Sequence, residues 1–527
     1  MSAMSARLKL LHQSSGDSQE PPSAFADRVG QAYADSRHAE HRKSHGLYLT
    51  PPAVAAFMAS MIGARDTLRL LDPAAGAGIL LCAVVERLAQ DPRPPRAIEI
   101  TAYEIDAELA KHLGDVLDNL AKWAAQRGIL IRTNVRCEDF ILAEAIPLRD
   151  HADHRFDAVI ANPPYFKIRR KDPRAVAAGA VVHGQPNIYS LFMAVAAGLL
   201  APGGDFIFIT PRSYASGPYF QKFRERFFSL ARPVRVHVFD SRRDTFSRDE
   251  VLQENVILDA VCDNNWLEKK DAYSLTISSS TNANDIERRI ERRISLADVI
   301  DTSNPHGAFR LPAAPEDEEI LRKVDAWAGC LEDYGLQIST GPVVPFRVTE
   351  LLAVRPNRNT VPLLWMHHVR AMDVHWPNGT RKPQYITDRP ESRKLLVPNN
   401  NYVLLRRFSA KEETRRLTAS PLLLKNATFP AVGLENHLNY VHRPGGTLTE
   451  DEAWGLAALY NSALFDGYFR CISGNTQVSA TELRAMPLPP LEAIVSLGHR
   501  VKHEKQPLAV VDELVLALAS EPTTKQT

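Results

Sequence analysis

The stretch DAVIANPPYF (157–166) sets an amide and two aromatic rings against the end of an apolar run. Its first half is short, apolar and β-branched, which reads as a buried strand. Two prolines cannot continue a ladder, so the strand stops abruptly and rigidly. The stop presents the Asn162 side-chain carbonyl, the Pro163 backbone carbonyl and the rings of Tyr165 and Phe166. Two acceptors held still beside two rings can preorganise a site for a flat group that carries N–H hydrogens or develops positive charge. Neither a metal nor a covalent intermediate is needed, in keeping with a sequence that shows no His/Cys cluster. The bland alternative is a stiff Pro-Pro turn after a strand.

Three further groups stand where strands are expected to end. DPAAGAG (72–78) leaves an apolar run and opens a helical one, so Asp72, Ala74, Gly76 and Gly78 bracket a loop whose backbone can approach a ligand closely. Glu104 and Ile105 close the next strand, where a ribose-binding acid belongs in such folds. Asp139 and Phe140 end a third strand, read over NVRCEDF (134–140), an acceptor for an exocyclic amine beside a ring for a purine face. A single acid at a strand end is usually a turn or cap residue. Four polar groups on four successive strand ends are harder to dismiss. A missing third glycine and the Asp-Pro make pyrophosphate a worse ligand than an adenosine carrying an amino-acid chain.

These groups need a parallel sheet to bring them together. From about 46 to 262 apolar strands alternate with helical segments, which predicts an α/β domain with a mostly parallel twisted sheet and helices on both faces. Residues 1–45 read as a polar N-terminal arm, 46–265 as the catalytic domain and 266–329 as a charged helical connector. Residues 330–495, rich in Pro and Asn with aromatics among Arg and Lys, read as a mixed α+β recognition domain, and 496–527 as a C-terminal helix and tail. No run is long and apolar enough to span a membrane, no credible signal-peptide core is present, and 5 scattered cysteines suggest a reduced, cytoplasmic protein without a disulfide framework or zinc site. Net charge is only +1, yet residues 340–430 hold 15 Lys and Arg against 6 Asp and Glu. Such asymmetry suits nucleic acid, and equally a solvated loop-rich face.

DPAAGAG, YEID, CEDF and NPPY, in this order and spacing, resemble class I S-adenosylmethionine-dependent amino-methyltransferases acting on DNA adenine, in the gamma group. The likeness reaches upstream to HGLYLTPPAVAAFMASM (45–61), similar to the segment that folds over the methionine part of the cofactor, with Thr50, Pro51 and Pro52 matching. It covers about 46–265 strongly; RFSAKEETRRL and NSALFDGYFRCISGNTQVSATELRAMPLP resemble, less specifically, the recognition region of type II modification enzymes. The resemblance implies a Rossmann-like catalytic domain and S-adenosyl-L-methionine as cofactor, held by Thr50, Pro51, Asp72, Ala74, Gly76, Gly78, Glu104, Ile105, Asp139, Phe140 and Asn162. It implies catalysis by Asn162, Pro163 and Tyr165: the two carbonyls accept from an exocyclic amine and localise its lone pair, while Tyr165 stacks on the base and eases positive charge on nitrogen. A second aromatic near the last strands, for which Phe246 is the candidate, is implied as well, to sandwich with Tyr165 a base flipped from double-stranded DNA. It also implies protection of DNA from a separate restriction endonuclease, with a monomer as the default; residues before the cofactor segment are too few and too polar for a nuclease core.

Lys167, Arg169, Arg170 and Lys171 follow the turn and could grip phosphates beside the flipped nucleotide, or equally form a solvated loop. For sequence readout the densest basic cluster is Arg406, Arg407, Lys411, Arg415 and Arg416, with Asn475 and Gln477 in a Gly-Asn-Thr-Gln loop. Asn187, opening a helix, reads first as an N-cap. Cytosine-N4 methylation uses the same chemistry, although Asn before Pro-Pro favours adenine. Protein-glutamine and ribosomal-RNA amino-methyltransferases also carry Asn-Pro-Pro-Tyr but need no basic domain of this size, and a non-catalytic DNA-binding protein on a methyltransferase scaffold is the reading from another class.

Overall fold

The computed structural model describes residues 20–38, 49–145, 156–182, 186–239, 255–300, 309–312, 314–409, 413–424, 428–473 and 477–520. They form two compact units, residues 1–313 and 314–527. The first is built on nine strands: β1 (Thr67–Asp72), β2 (Ala97–Tyr103), β3 (Leu130–Arg136), β4 (Phe156–Ala161), β5 (Leu200–Pro211), β6 (Ala231–Phe239), β7 (Asn255–Cys262), β8 (Ser274–Ser280) and β9 (Ile290–Ser295). They hydrogen-bond in the order 3-2-1-4-5-7-6-8-9. Strands β1 to β5 are parallel, and β7 runs antiparallel between β5 and β6. The order reverses between β1 and β4, and ligands of open α/β sheets sit outside the carboxyl ends of strands at such a switch.

Successive side chains of a strand face opposite ways, so each central strand feeds two cores. Leu70, Ile98, Ile100, Ile160 and Ile207 pack with helices α1 (Pro22–Asp35), α2 (Pro52–Ala59), α3 (Ile79–Ala89) and α4 (Ala107–Ala125). Leu71, Val159, Ala161, Phe206 and Phe208 pack on the other face with α7 (Ile188–Gly198) and α8 (Gln221–Phe228). Between α4 and α7 in chain order come the short helices α5 (Phe140–Glu144) and α6 (Pro173–Ala177), which join the core on the face of α7. Asp106 caps α4, its side chain accepting from the amides of Glu108 and Leu109.

Four expectations change. The N-terminal arm contains α1, whose Phe25, Val29 and Tyr33 are buried one helical turn apart. Strand β3 ends at Arg136, before CEDF; it is an edge strand with mostly exposed side chains, so its apolar pattern is weak. The expected helical connector contributes β8 and β9 to the main sheet, with β8 parallel to β6. Tertiary pairing overrides the charge spacing of IERRIERRIS, which on its own resembles a helix. Two C-terminal helices stand where one was expected, Leu491–Val501 and Pro507–Leu518.

The second unit is α+β. A four-stranded antiparallel sheet orders Gln337–Thr340, Leu438–His442, Tyr402–Arg406 and Ala419–Leu422, and a five-stranded sheet gathers short strands between Leu352 and Leu434. Helices Glu450–Asn461 and Ala463–Ile472 join the two C-terminal ones around a separate apolar core that includes Leu456, Phe465 and Ile494.

Candidate active site

The carboxyl ends of β1, β2 and β4 and the segment after β3 open on one cavity of about 320 Å³. Thr50, Ala74, Gly76, Glu104, Ile105, Asp139, Phe140 and Asn162 line it, all named from sequence. Pro51, Asp72 and Gly78 are not on its wall. Gly78 has φ +86°, and a Cβ there would meet Leu113 at 2.8 Å, so it is glycine for the turn into α3. Pro51 is the residue before α2. Asp72 is wholly buried behind the loop: Oδ1 accepts from the Ala74 amide at 3.0 Å, while Oδ2 is buried with no hydrogen-bond partner among the described residues. Burial pushes its carboxyl up to about 8, against that amide bond and with the charge of Glu104 adding.

Glu104 ties the loop together. Its carboxylate accepts from the Gly76 amide at 3.1 Å and the Asp106 amide at 2.8 Å, and burial holds its pKa above the usual range. Asp139 caps α5 by accepting from Leu142 at 3.0 Å, with its other oxygen 3.8 Å from Arg174. Phe140 stacks on Phe192 at 5.4 Å and meets Tyr103 edge-on.

Asn162, at the end of β4, is clamped from both sides. Its Nδ2 donates to Thr50 Oγ1 at 3.1 Å, and its Oδ1 accepts from the Tyr165 hydroxyl at 2.5 Å. Thr50 thereby joins the segment before α2 to the NPPY turn. Tyr165 departs from its expected place. It is 6% exposed, its hydroxyl also lies 2.9 Å from the Ile209 carbonyl, and its ring meets Tyr189 edge-on. Phe166 and Pro164 line the cavity instead. The reason lies in tertiary packing: the ring after two prolines falls against the buried core of α7, which the sequence pattern does not specify. Phe246 lies outside the described residues. Lys167, Arg169 and Arg170 are exposed beyond the turn. Asn187 occupies the N-cap position of α7 without a side-chain cap bond, and its Oδ1 is buried without a hydrogen-bond partner among the described residues.

Sequence reading missed one wall altogether. Helix α1 contributes Ala26, Asp27, Gly30 and Tyr33 to the cavity. A Cβ on Gly30 would come within 3.3 Å of both Leu49 and Ala77, so the helix crosses close over the glycine loop. The stripe Phe25, Val29, Tyr33 was the available signal. Asp27, Glu104, Asp106, Glu138 and Asp139 face the cavity against Arg174 as the basic residue of its lining. Acidic groups beside the apolar Ile79, Ile105, Phe140 and Phe192 fit a nucleoside carrying cationic groups, and do not fit a pyrophosphate.

In the second unit the expected basic cluster separates. Arg416 is 0% exposed: its guanidinium bonds Ser409 at 3.3 Å and the Ser473 carbonyl at 3.4 Å and lies over Phe469, while its amide reaches Asp466. Arg415 is ion-paired with Asp512. Arg416 is thus built into the unit's own core, whereas Arg415 is half-buried in an ion pair at the surface. Arg406 donates to the Val369 carbonyl at 2.7 Å and Arg407 to that of Asn436 at 3.0 Å, both half-buried. Gln477 is exposed and pairs with Phe408, whereas Lys411 and Asn475 lie outside the described residues.

Strand order, the reversed β7 and the strand-end site define a class I methyltransferase domain. The family model described as "Eco57I restriction-modification methylase" matches residues 95–246. Two curated relatives run nearly the full length. The type II methyltransferase M.PstI of Providencia stuartii is 32% identical over 499 residues, 93% of this chain and 96% of its own. The type II methyltransferase M.BsuBI of Bacillus subtilis is 32% identical over 471 residues, 87% of this chain and 90% of its own. This chain belongs to the type II restriction-modification methyltransferases. No described helix is long and apolar enough to cross a membrane, and no metal-holding group of His, Cys, Asp and Glu occurs among the described residues.

Proposed function

We propose that this chain is a sequence-specific DNA adenine-N6 methyltransferase using S-adenosylmethionine, which protects DNA from a separate restriction endonuclease. The observation that carries the reading is Asn162, held at the end of β4 between Thr50 and Tyr165 on the wall of an acid-lined nucleoside-sized cavity. S-adenosylmethionine supplies an electrophilic methyl group on a sulfonium. Glu104 and Asp106 are disposed for ribose hydroxyls, Ile105 and Phe140 for the purine faces, and Asp139 for its exocyclic amine. Asp27 of α1 is an acid for the amino-acid end.

The target adenine must leave the duplex to reach such a recess. Asn162 Oδ1 and the Pro163 carbonyl then accept from its amine, and the nitrogen lone pair is freed for attack. Tyr165 holds the Asn162 amide in register, and Phe166 offers the ring wall that Tyr165 does not. Lys167, Arg169 and Arg170 are available for phosphates beside the extruded nucleotide. The test is nucleoside mass spectrometry of DNA incubated with the purified chain and S-adenosylmethionine. N6-methyl-2′-deoxyadenosine is the expected product. N4-methylcytosine would keep the mechanism and overturn the substrate, and a label found only in protein or RNA would overturn the reading.

A further inference from the structure

Resting on the DNA reading above, we infer that the second unit meets duplex DNA through an edge built from Phe346, Arg347, Lys382, Arg407, Glu435 and His437, where His437 reads a base edge and Glu435 positions it. The expected cluster at Arg415 and Arg416 is spent on internal bonds, so the interface has to be sought elsewhere in the unit.

Backbone pairing brings these residues together from distant segments. Val343 bridges Glu435, and the Asn436 amide donates to the Val343 carbonyl at 2.9 Å. The Arg407 amide donates to the His437 carbonyl at 2.9 Å, while its guanidinium holds the Asn436 carbonyl. The Glu435 amide donates to the Leu364 carbonyl, next to Trp365, over which the Lys382 ammonium sits at 4.7 Å. Three residues past Val343, Phe346 stands 76% exposed with the Arg347 guanidinium 5.5 Å from its ring centroid. An exposed ring with the Arg347 cation beside it suits sugar, base and phosphate contacts more than it suits solvent.

At the centre of this edge is a carboxylate the fold does not otherwise use. Glu435 is 1% exposed, its Oε1 lies 2.5 Å from Nδ1 of His437 in ion-pair contact, and neither oxygen has any other polar partner among the described residues. Burial raises this carboxyl, and the facing charges of His437 and Lys382 pull it back. Burying an acid is costly, and here it is paired with one half-exposed ring that also packs edge-on against Phe408. Glu435 therefore fixes which nitrogen of His437 faces inward and leaves Nε2 for a base edge in the major groove.

The test reads modified bases in DNA from a methylation-free host expressing the full chain or its variants, alongside duplex binding at several salt concentrations. Expected results are that His437→Ala and Glu435→Gln both relax the methylated motif at the same single position, with discrimination there falling about tenfold. Cofactor-analogue binding stays intact in both. Arg347→Ala with Lys382→Ala should weaken binding to all duplexes alike and lower the salt slope by about two, roughly one per phosphate. Phe346→Ala, at an exposed position, should weaken duplex binding without changing the melting temperature. An unchanged motif in His437→Ala, or one merely methylated less, overturns the base-reading role; unchanged salt slopes overturn the interface. If the wild-type chain leaves DNA unmarked, the methyltransferase reading fails by itself, and the interface is then judged on duplex binding alone.

Discussion

In the first unit the chemistry-bearing side chains hang from ends of adjacent parallel strands, and the sheet alone dictates where they meet. In the second unit residues of equal chemical promise are scattered through short strands and turns. There an arginine next to another in sequence can be a core strut, as Arg416 is, while Arg407 two turns of chain away braces a surface loop. The difference is one of what fixes a side chain's direction. A strand end in a parallel sheet points to the same crevice in every fold of this kind, whereas a basic run in irregular structure points wherever its neighbours need a cation. Charge density along the chain is therefore weaker evidence for a site than order along a sheet.

The largest expected effect breaks the first half of that contrast. Asn162→Ala should lower methyl transfer by about a hundredfold or more, as loss of a fixed transition-state acceptor does, while a cofactor analogue still binds. Calorimetric titration beside a turnover assay separates the two, and loss of analogue binding with the fold would assign Asn162 to structure. The second half is broken by Arg416→Ala, which strands the Ser473 carbonyl and Ser409 in the core. It should cost about 3 kcal/mol in urea melts. Reduced DNA affinity at unchanged stability would return Arg416 to the interface.

Tyr165→Phe sharpens the comparison within the site. It keeps a ring and removes the bond to Asn162, so kcat should fall by about tenfold with KM little changed, at a stability cost of about 1 kcal/mol. Full activity in that variant would mean that the ring, and not the hydroxyl, is what the turn provides. Asp72→Asn is read in stability alone, not in catalysis. A buried carboxyl raised to about 8 binds its proton in the folded chain where the unfolded chain has released it. The Asp72 contribution to stability should thus fall as pH rises from about 4 to 8 and level off above, because at this group the unfolded state binds fewer protons across that window. The Asn variant lacks this slope, and parallel melting curves against pH for the two proteins would contradict the buried, proton-holding Asp72.

Much of the first unit could be read from residues alone because period-two burial and glycine turns are local signals. DPAAGAG, YEID and NPPY each announce a strand end, and those three lie on adjacent strands β2, β1 and β4. What escaped was set by partners distant in sequence. Helix α1 earns its place by packing on α3 and α4, β8 by pairing with β6, and the Tyr165 ring by the room that α7 leaves. The second unit offered no such grammar, since its strands are short and its polar side chains answer to long-range contacts such as Asp466 with Arg416.

The most direct single measurement is modified-base sequencing of DNA from a methylation-free host carrying either the wild-type chain or Asn162→Ala. N6-methyladenine at one short motif in the first and none in the second is the expected result. An unmarked genome from a folded wild-type chain that still binds a cofactor analogue, or equal marks from both chains, would contradict methyl transfer to adenine at the end of β4.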